Sequence, residues 1–573
     1  MFDFLLNSRV IIEFRMIFVI AALGHYLPLS INMLDVAIAG YMGIGAYTSA
    51  VLTRNFGAPF SVALVAGGLV AACFALGIDY VGARVKLKGF AFAIVTIGFA
   101  EITRVILLNV EYTGGAQGFR QIMPETTLPV LVTVLLLVIA LFVMLKRSYL
   151  GRAFDAIRDD EVAAEAMGIN ILATKLFVGA LGAFLGGLSG GLYAHYALFL
   201  EPDQFGFNRL IEIQLPVVFG GLETFWGPIF GTTFLGLLPE ILRPVYNYRL
   251  IAYAVLTIIV ILVRPQGIIS RAMVNRVTGW LFSGFRALVG RPGAKSSGTE
   301  LAGQEAGAAR PAAEPEGWRA GPILFVDRVT RRFGGLDALR EVTIKIMPRC
   351  IHAVIGPNGA GKTTLFNIVS GALPVSEGKV YFKTQDITGM RSDHIARRGI
   401  GRTFQNVRVF KGLTVLDNVL VGAHKKVDIG FVRLFLRNPF GVTEQEQVCH
   451  RRAVALVEFV GLTHVMARLA GELPLAEQRK VELARALAGD PEVLLLDEQT
   501  AGMNRAEKDE ICRLVRTIVG MGTTVIFVEH DMRVVMDTAD VISVLNFGKL
   551  IAEGSPARVR ANPEVIEAYL GRE

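Results

Sequence analysis

Cysteine is scarce in this chain of 573 residues: only Cys73, Cys350, Cys449 and Cys512, far apart and without a Cys-x-x-Cys pair. That pattern points to neither a disulfide framework nor a zinc site, and it suits a reducing compartment. Charge is also in short supply, at 19% of residues, against about 25% in an ordinary soluble protein. With 53% hydrophobic residues and a mean hydropathy of +0.49, both a single soluble domain and a disordered chain are excluded. At roughly 100–200 residues per domain, the length predicts three or more domains or one very large unit. The net charge of +8 has two readings, nucleic-acid binding or the cytoplasmic loops of a membrane protein. The order of residues along the chain decides between them.

From Met16 to about Val263 the chain is a succession of apolar runs, among them Pro59–Tyr80, Gly89–Leu108, Pro129–Leu145, Leu176–Leu200 and Leu250–Val263. Most approach the ~20 residues that carry a helix across about 30 Å of hydrocarbon. Five such runs in one region predict a polytopic membrane domain rather than buried helices of a soluble protein. Met16–Leu34 reads as a further span, and Ala37–Leu52 as a span or a broken helix. The first run has no small-residue cleavage site, so it is not read as a removed signal peptide. Glycines recur inside the runs, as at Gly179, Gly182, Gly186, Gly187, Gly190 and Gly191. Each would weaken a helix in water by about 1 kcal/mol. In lipid, small residues let helix backbones approach, which predicts a tightly packed bundle.

Basic loops set the orientation. Arg84, Lys86 and Lys88 lie between two runs, and Lys146, Arg147, Arg152 and Arg158 follow another. Both loops should be cytoplasmic, and Val110–Thr126, with Arg120 as its only basic residue, should face outside. Gly220 and Gly221, followed by Trp226-Gly227-Pro228, interrupt Ile211–Leu242. Two short helices meeting at that break restore a cytoplasmic C-terminus. Glu101 and Arg104, three apart in an apolar run, can share a helix face and pair.

From Gly290 to Gly321 the chain is rich in Gly, Ala, Pro, Glu and Ser, and it reads as a flexible tether. The predicted organisation is a transmembrane domain over 1–289, a linker over 290–321 and a C-terminal domain over 322–573. In that last part short strand-like runs alternate with amphipathic helices. Ile351–Ile355 precedes a glycine loop, Val493–Leu496 ends in carboxylates and Thr524–Val528 ends at Glu529-His530. This is the pattern of a parallel α/β sheet with ligands at the strand ends. The fold class is therefore an all-α membrane helix bundle followed by an α/β domain.

Gly356-Pro357-Asn358-Gly359-Ala360-Gly361-Lys362-Thr363, with Thr364 next, matches the phosphate-binding loop G-x-x-x-x-G-K-[ST] without a gap. Its glycines allow backbone N–H groups to converge on phosphate oxygens. Lys362 should reach the β- and γ-phosphates, Thr363 should place its hydroxyl on Mg²⁺, and the following helix points its positive end at the anion. Leu494-Leu495-Leu496-Asp497-Glu498 supplies an aspartate for Mg²⁺ and a carboxylate to polarise an attacking water.

On these residues the C-terminal half resembles the ATPase domain of ABC transporters, which implies an α/β P-loop domain with a helical subdomain. The resemblance implies that Phe333 stacks on adenine, that Gln405 touches Mg²⁺ and senses the permease, and that His530 contacts the γ-phosphate. It also exposes departures. The usual signature Leu-Ser-Gly-Gly-Gln aligns with Leu473-Pro474-Leu475-Ala476-Glu477. Pro474 removes a hydroxyl and an N–H, Leu475 adds bulk, and Glu477 adds negative charge where an anion should sit. Gln499 stands where the family has proline. Two unequal ATP sites, and a second, different ATPase as partner, are the consequence expected.

The membrane half, over roughly residues 30–270, resembles the permease subunit of branched-chain amino acid importers. The matching stretches are Gly40–Tyr47, Thr113-Gly114-Gly115, Gly220-Gly221-Leu222 and Arg264-Pro265-Gln266-Gly267-Ile268. Arg402–Asn406 and Ala501-Gly502-Met503-Asn504 make the ATPase half similar to one ATPase subunit of the same system. In cytoplasmic Arg152–Gly168 the resemblance identifies the segment that couples permease to ATPase, as one short charged helix carrying Asp155, Arg158, Glu161 and Glu165. The implied partners are a second permease subunit, the second ATPase and a periplasmic solute-binding protein, within membrane lipid and without nucleic acid. The implied place is the bacterial inner membrane, with the ATPase in the cytoplasm and ATP and Mg²⁺ as cofactors. Branched-chain amino acids are the substrate implied, with other amino acids, urea, short amides and aromatic acids left open. An exporter, or a regulator with one impaired ATP site, is the competing class. Short loops, glycine-broken spans and the presence of both Lys362 and Glu498 stand against it.

Overall fold

The structure, a computed structural model, describes residues 2–85, 87, 89–241, 249–264, 267–270, 273–274, 321–426 and 444–570. The chain divides into two compact units, one of residues 1–145 and 172–304, the other of 146–171 and 305–573. The sequence-predicted linker lies, but for Gly321, outside the described residues, as do Lys86, Lys88, Pro265 and Gln266.

The first unit is helical: α1 (Phe2–Leu29), α2 (Ile38–Phe56), α3 (Phe60–Arg84), α4 (Phe90–Asn109) and α5 (Leu128–Arg147, whose last two residues belong to the second unit). Two short helices of the second unit follow, α6 (Tyr149–Asp159) and α7 (Glu161–Ala166). The first unit then resumes with α8 (Ile171–Ala197), α9 (Phe207–Gly220), α10 (Trp226–Ile241) and α11 (Arg249–Val263). Arg9–Leu29, Phe60–Arg84, Phe90–Asn109, Leu128–Arg147 and Ile171–Ala197 are long and apolar enough to cross a membrane. One expectation changes here, and an open one is narrowed. The first span does not run from Met16 to Leu34 but ends at Leu29, where Ser30–Asn32 turn the chain and Asn32 takes a left-handed φ of 57°. The second stretch is an unbroken helix of 19 residues.

Residues 211–241 fold as the two-helix arrangement expected of them. α9 stops at Gly220, Gly221 takes a φ of 108°, and α10 begins at Trp226. A Cβ on Gly220 would lie 1.8 Å from the carbonyl oxygen of Gly227, so the break also sets the contact between the two helices. Ile268 and Ile269 donate backbone hydrogen bonds to Phe219 and Gly220, and so satisfy the carbonyls that the break frees. Arg104 pairs with Glu101 at 2.7 Å and with Asp203 at 2.6 Å.

The second unit is α/β. Its strands are β1 (Leu324–Phe333), β2 (Leu336–Ile346), β3 (Ile351–Ile355), β4 (Glu377–Phe382), β5 (Gln385–Asp386), β6 (Ile400–Arg402), β7 (Val493–Asp497), β8 (Thr524–Val528), β9 (Val541–Asn546) and β10 (Lys549–Gly554). An antiparallel sheet has the order β2-β1-β4-β5, and a second sheet has the order β10-β9-β3-β8-β7-β6. In the second sheet every pairing is parallel except that of β10 with β9. Strands β3, β7 and β8 are buried along their whole length, as expected of parallel strands covered on both faces. Val354, Leu495 and Ile526 face the apolar layer shared with β1, while Ile351, Ala353, Ile355, Leu494 and Phe527 face the other.

The helices that matter for the site are α12 (Lys362–Val369), α13 (Ser392–Arg398), α14 (Val415–Gly422), α15 (Glu444–Phe459), α16 (Leu475–Ala488), α17 (Arg505–Gly520) and α18 (Met532–Thr538). The chain order puts the carboxyl ends of β3, β7 and β8 side by side, because β8 pairs with both β3 and β7.

Candidate nucleotide site

The glycine loop leaves β3 at Ile355 and enters α12 at Lys362. Gly356 and Gly361 take φ angles of 152° and 101°, which L-residues with side chains rarely adopt. A Cβ would meet the Leu545 carbonyl oxygen at 2.1 Å from Gly356 and that of Ala338 at 2.5 Å from Gly361. Glycine at both positions is therefore a steric requirement. Lys362 is buried, and its Nζ donates to the carbonyls of Gly356 and Pro357 at 2.7 and 3.0 Å. Burial pulls its ammonium below the ordinary lysine range, against the charges of Glu498 and Asp497.

Strand β7 ends in Asp497, and Glu498 follows with a left-handed φ of 49°. Hydrogen bonds to its N–H and C=O hold that unfavourable conformation: Glu498 N donates to Val528 O at 2.9 Å, and the Arg479 guanidinium donates to Glu498 O at 2.7 Å. The Glu498 carboxylate is where the three expected residues meet. Its Oε1 accepts from Gln405 Nε2 at 3.0 Å and lies 2.5 Å from His530 Nε2. A cavity of about 560 Å³ opens beside them, lined by Asn358, Lys362, Thr363, Gln405, Glu498 and His530.

Asp497 is 1% exposed, 3.6 Å from the Arg402 guanidinium. Neither of its carboxylate oxygens has a hydrogen-bond partner. Burial pushes its carboxyl above the ordinary range, against the opposing pull of Arg402. A buried carboxylate with both oxygens unmatched, next to a phosphate loop, fits a divalent cation of oxygen preference such as Mg²⁺.

Phe333 stands apart from this cavity. It is 45% exposed, with the Arg331 guanidinium 4.7 Å from its ring centroid. The cavity wall instead includes Leu336, Arg340 and Phe547, the last 81% exposed on the β9–β10 turn. Sequence reasoning missed Phe547 because an aromatic residue before a glycine turn carries no signal of its own.

The divergent signature opens α16, whose N-cap is Pro474 and has no side-chain hydrogen bond to offer. Leu473 is buried, Leu475 is 50% exposed in the first turn, and Glu477 sits 3.6 Å from His464. Gln499 is buried and donates to Thr403 Oγ1 at 2.8 Å, and that hydroxyl also accepts from Asp497 N at 3.2 Å. A proline there would have no such bond.

The expected coupling segment folds onto the ATPase within the second unit, but as two helices. Asp160 breaks it: its backbone is extended, and its side chain caps α7 by accepting from Ala163 N at 2.9 Å. Asp159, Asp160, Gly168 and Asn170 are among the residues that touch the ATPase, the last accepting from Arg391 at 3.2 Å. Gly412 N donates to Asp159 at 2.7 Å, Arg408 to Asp160 at 2.7 Å and Arg397 to Gly168 O at 3.1 Å. Asp155 instead pairs with Lys146 at 3.0 Å, and Arg158 approaches Asp155 and Asp159 at 3.9 and 3.8 Å. Burial raises the Glu165 carboxyl, with Asp393 adding to the effect. Glu161 opens α7 in its first turn. Behind Arg408, Glu482 of α16 accepts the backbone N–H groups of Phe404 and Arg408 at 3.3 and 3.4 Å. Glu482 also lies 3.6 Å from the fully buried Arg485, which packs over Phe410. The loop that carries Gln405 is thus held between the α6–α7 junction and the helix of the signature.

The model of a family described as "Branched-chain amino acid transport system / permease component" matches residues 10–264. That of the ABC transporters matches 339–501, and that of the branched-chain amino acid ATP-binding cassette transporters matches 549–573. The chain is 40% identical over 251 residues to the high-affinity branched-chain amino acid transport ATP-binding protein LivG of Escherichia coli K12, covering 44% of this chain and 98% of that protein. It is also 40% identical over 252 residues to BraF of Pseudomonas aeruginosa, with the same coverage. Among solved structures, a nucleotide-free ATP-binding cassette from an ABC transporter is 33% identical, over 44% of this chain and 99% of that one, with a TM-score of 0.39.

Proposed function

The chain belongs to the branched-chain amino acid ABC transporters, a permease fused to an ATPase, and on that premise we propose that it drives import of branched-chain amino acids across the bacterial inner membrane. The convergence of Gln405 and His530 on Glu498, beside the phosphate loop, is the observation that carries the proposal. In this reading Lys362 neutralises the β- and γ-phosphates, and Glu498 takes the proton of the attacking water. Gln405 and His530 sense the γ-phosphate. Thr363, Gln405 and Asp497 would hold Mg²⁺, which supplies charge neutralisation to the transferring phosphoryl group.

A periplasmic binding protein delivers substrate, and a second permease and a second ATPase complete the transporter. That ATPase is a different chain, because a proline cap, an exposed leucine and a first-turn carboxylate at the start of α16 make a poor receptor for the phosphates of a facing ATP. Deleting the chain from its host should abolish energised uptake of radiolabelled leucine, isoleucine and valine. The wild-type chain should restore it, and Lys362→Ala should not. Undiminished uptake of all three, with loss of another amino acid, urea, an amide or an aromatic acid, would overturn the substrate assignment.

The coupling role rests on Asp160. Its replacement by alanine removes a helix cap, which costs about 0.5–2 kcal/mol locally, and the partner of Arg408. Reconstituted Asp160→Ala transporter should hydrolyse ATP within roughly twofold of wild type while transporting at least about tenfold less, since the loss falls on docking and not on the phosphate site. Equal losses of both activities would remove the coupling assignment.

A further inference from the structure

Of the basic residues around the end of α5, most are neutralised within the second unit. Lys146 pairs with Asp155 at 3.0 Å, Arg152 faces Glu446 at 3.8 Å, and Arg158 lies by Asp155 and Asp159. Arg147 is not: among the described residues no acidic group lies within 4.0 Å of it, and the same holds for Arg451 of α15. These two exposed guanidiniums line one cavity of about 470 Å³ together with Arg152, His450, Leu420 and Glu446. Among the described residues, three guanidiniums therefore face a single carboxylate across a space of small-ligand size, about 300–1,000 Å³.

The sequence sets the depth of this cavity. Leu128–Leu145 contains no charged residue, and Lys146 and Arg147 close the same helix. Basic residues that end an apolar span lie at the headgroup level. There the surface of the cytoplasmic leaflet is anionic, and each nearby Lys or Arg gains roughly 1 kcal/mol from it. Guanidinium presents a planar fork of donors that matches phosphate oxygens.

We propose that the cavity lined by Arg147, Arg152, His450 and Arg451 binds a phosphate-bearing anion, the headgroup of an anionic phospholipid. The site lies outside the catalytic cavity and shares none of its lining residues. A lipid bound there would bridge the end of α5, the coupling helix α6 and helix α15 of the ATPase.

The test uses the full-length chain in detergent, titrated with phosphatidylglycerol or phosphatidylcholine and read by native mass spectrometry. Phosphatidylglycerol should be retained in preference to phosphatidylcholine. Arg147→Ser combined with Arg451→Ser should weaken its retention by roughly 10- to 30-fold, with phosphatidylcholine unaffected. The control pair Arg505→Ser and Arg513→Ser, exposed on α17, should bind as wild type does. Competition with inorganic phosphate separates the two sources of the anion. Loss of the lipid only above millimolar phosphate supports the headgroup, while displacement at micromolar phosphate overturns the lipid in favour of a soluble anion. Equal retention of the two lipids, or an unchanged affinity in the Arg147/Arg451 variant, overturns the site itself.

Discussion

Glu498→Gln is expected to lower ATP turnover by about 10²- to 10³-fold while leaving ATP affinity within roughly threefold of wild type. The substitution is isosteric, and the new side chain can still accept from Gln405 Nε2, which lies 3.0 Å from Oε1. The backbone is equally tolerant. A φ of 49° is no worse for glutamine than for glutamate, and Val528 O and Arg479 hold the peptide from either side. What disappears is a group able to take a proton from water, together with the negative charge 2.5 Å from His530 Nε2. Lys362 and the loop amides, the groups proposed to hold the phosphates, are untouched. The measurement is single-turnover hydrolysis of radiolabelled ATP beside equilibrium binding of a nucleotide analogue. A variant that hydrolyses at the wild-type rate would sink the assignment of the base, and one that fails to bind would show that Glu498 shapes the loop instead.

The physical reason this much was legible in the sequence is that the phosphate loop is contiguous. Eight successive residues between a strand and a helix carry their own geometry, and an apolar strand ending in Asp497-Glu498 brings its carboxylates to the sheet edge by topology alone. Residues whose role comes from a distant partner left weaker traces. The break at Asp160 follows from its side chain capping α7, and that competes with a helical pattern otherwise continuous from Arg152. Glu482 and Arg485 read as one face of an amphipathic helix, yet their value lies in the backbone amides of Phe404 and Arg408, more than 70 positions away in sequence. Phe333 was assigned to the base by its place in a motif, whereas the fold turns Leu336 and Phe547 into the cavity wall. The end of the first span was misplaced because Ile31, Met33 and Leu34 prolong the apolar run after the helix has already turned at Ser30. Hydropathy does not register that turn.

The glycines of the membrane half carry the other large prediction, in which the usual order of helix propensities reverses. Alanine ordinarily stabilises a helix by about 1 kcal/mol over glycine. At Gly190 of α8 a Cβ would meet Met42 O at 1.9 Å, Met42 C at 2.8 Å and Ala46 N at 2.9 Å. All three are backbone atoms of α2, so no side chain can swing aside, and the two helices must part. The reciprocal contact, Gly45 against Gly187 O at 2.1 Å, lies along the same seam. In lipid the lost packing is not repaid by any hydrophobic gain, because the tails that enter the gap are as apolar as the helices. Gly190→Ala should therefore be less stable than wild type, and Gly190→Val should lose about 3 kcal/mol or more and most of the monodisperse protein recovered in detergent. Gly77→Ala and Gly77→Val are the controls, because nothing lies within 4 Å of a Cβ there. Size-exclusion profiles and thermal unfolding of the four variants decide it. If Gly190→Ala melted above wild type, propensity would outweigh packing, and the glycine seam between α2 and α8 would not be what holds this bundle together.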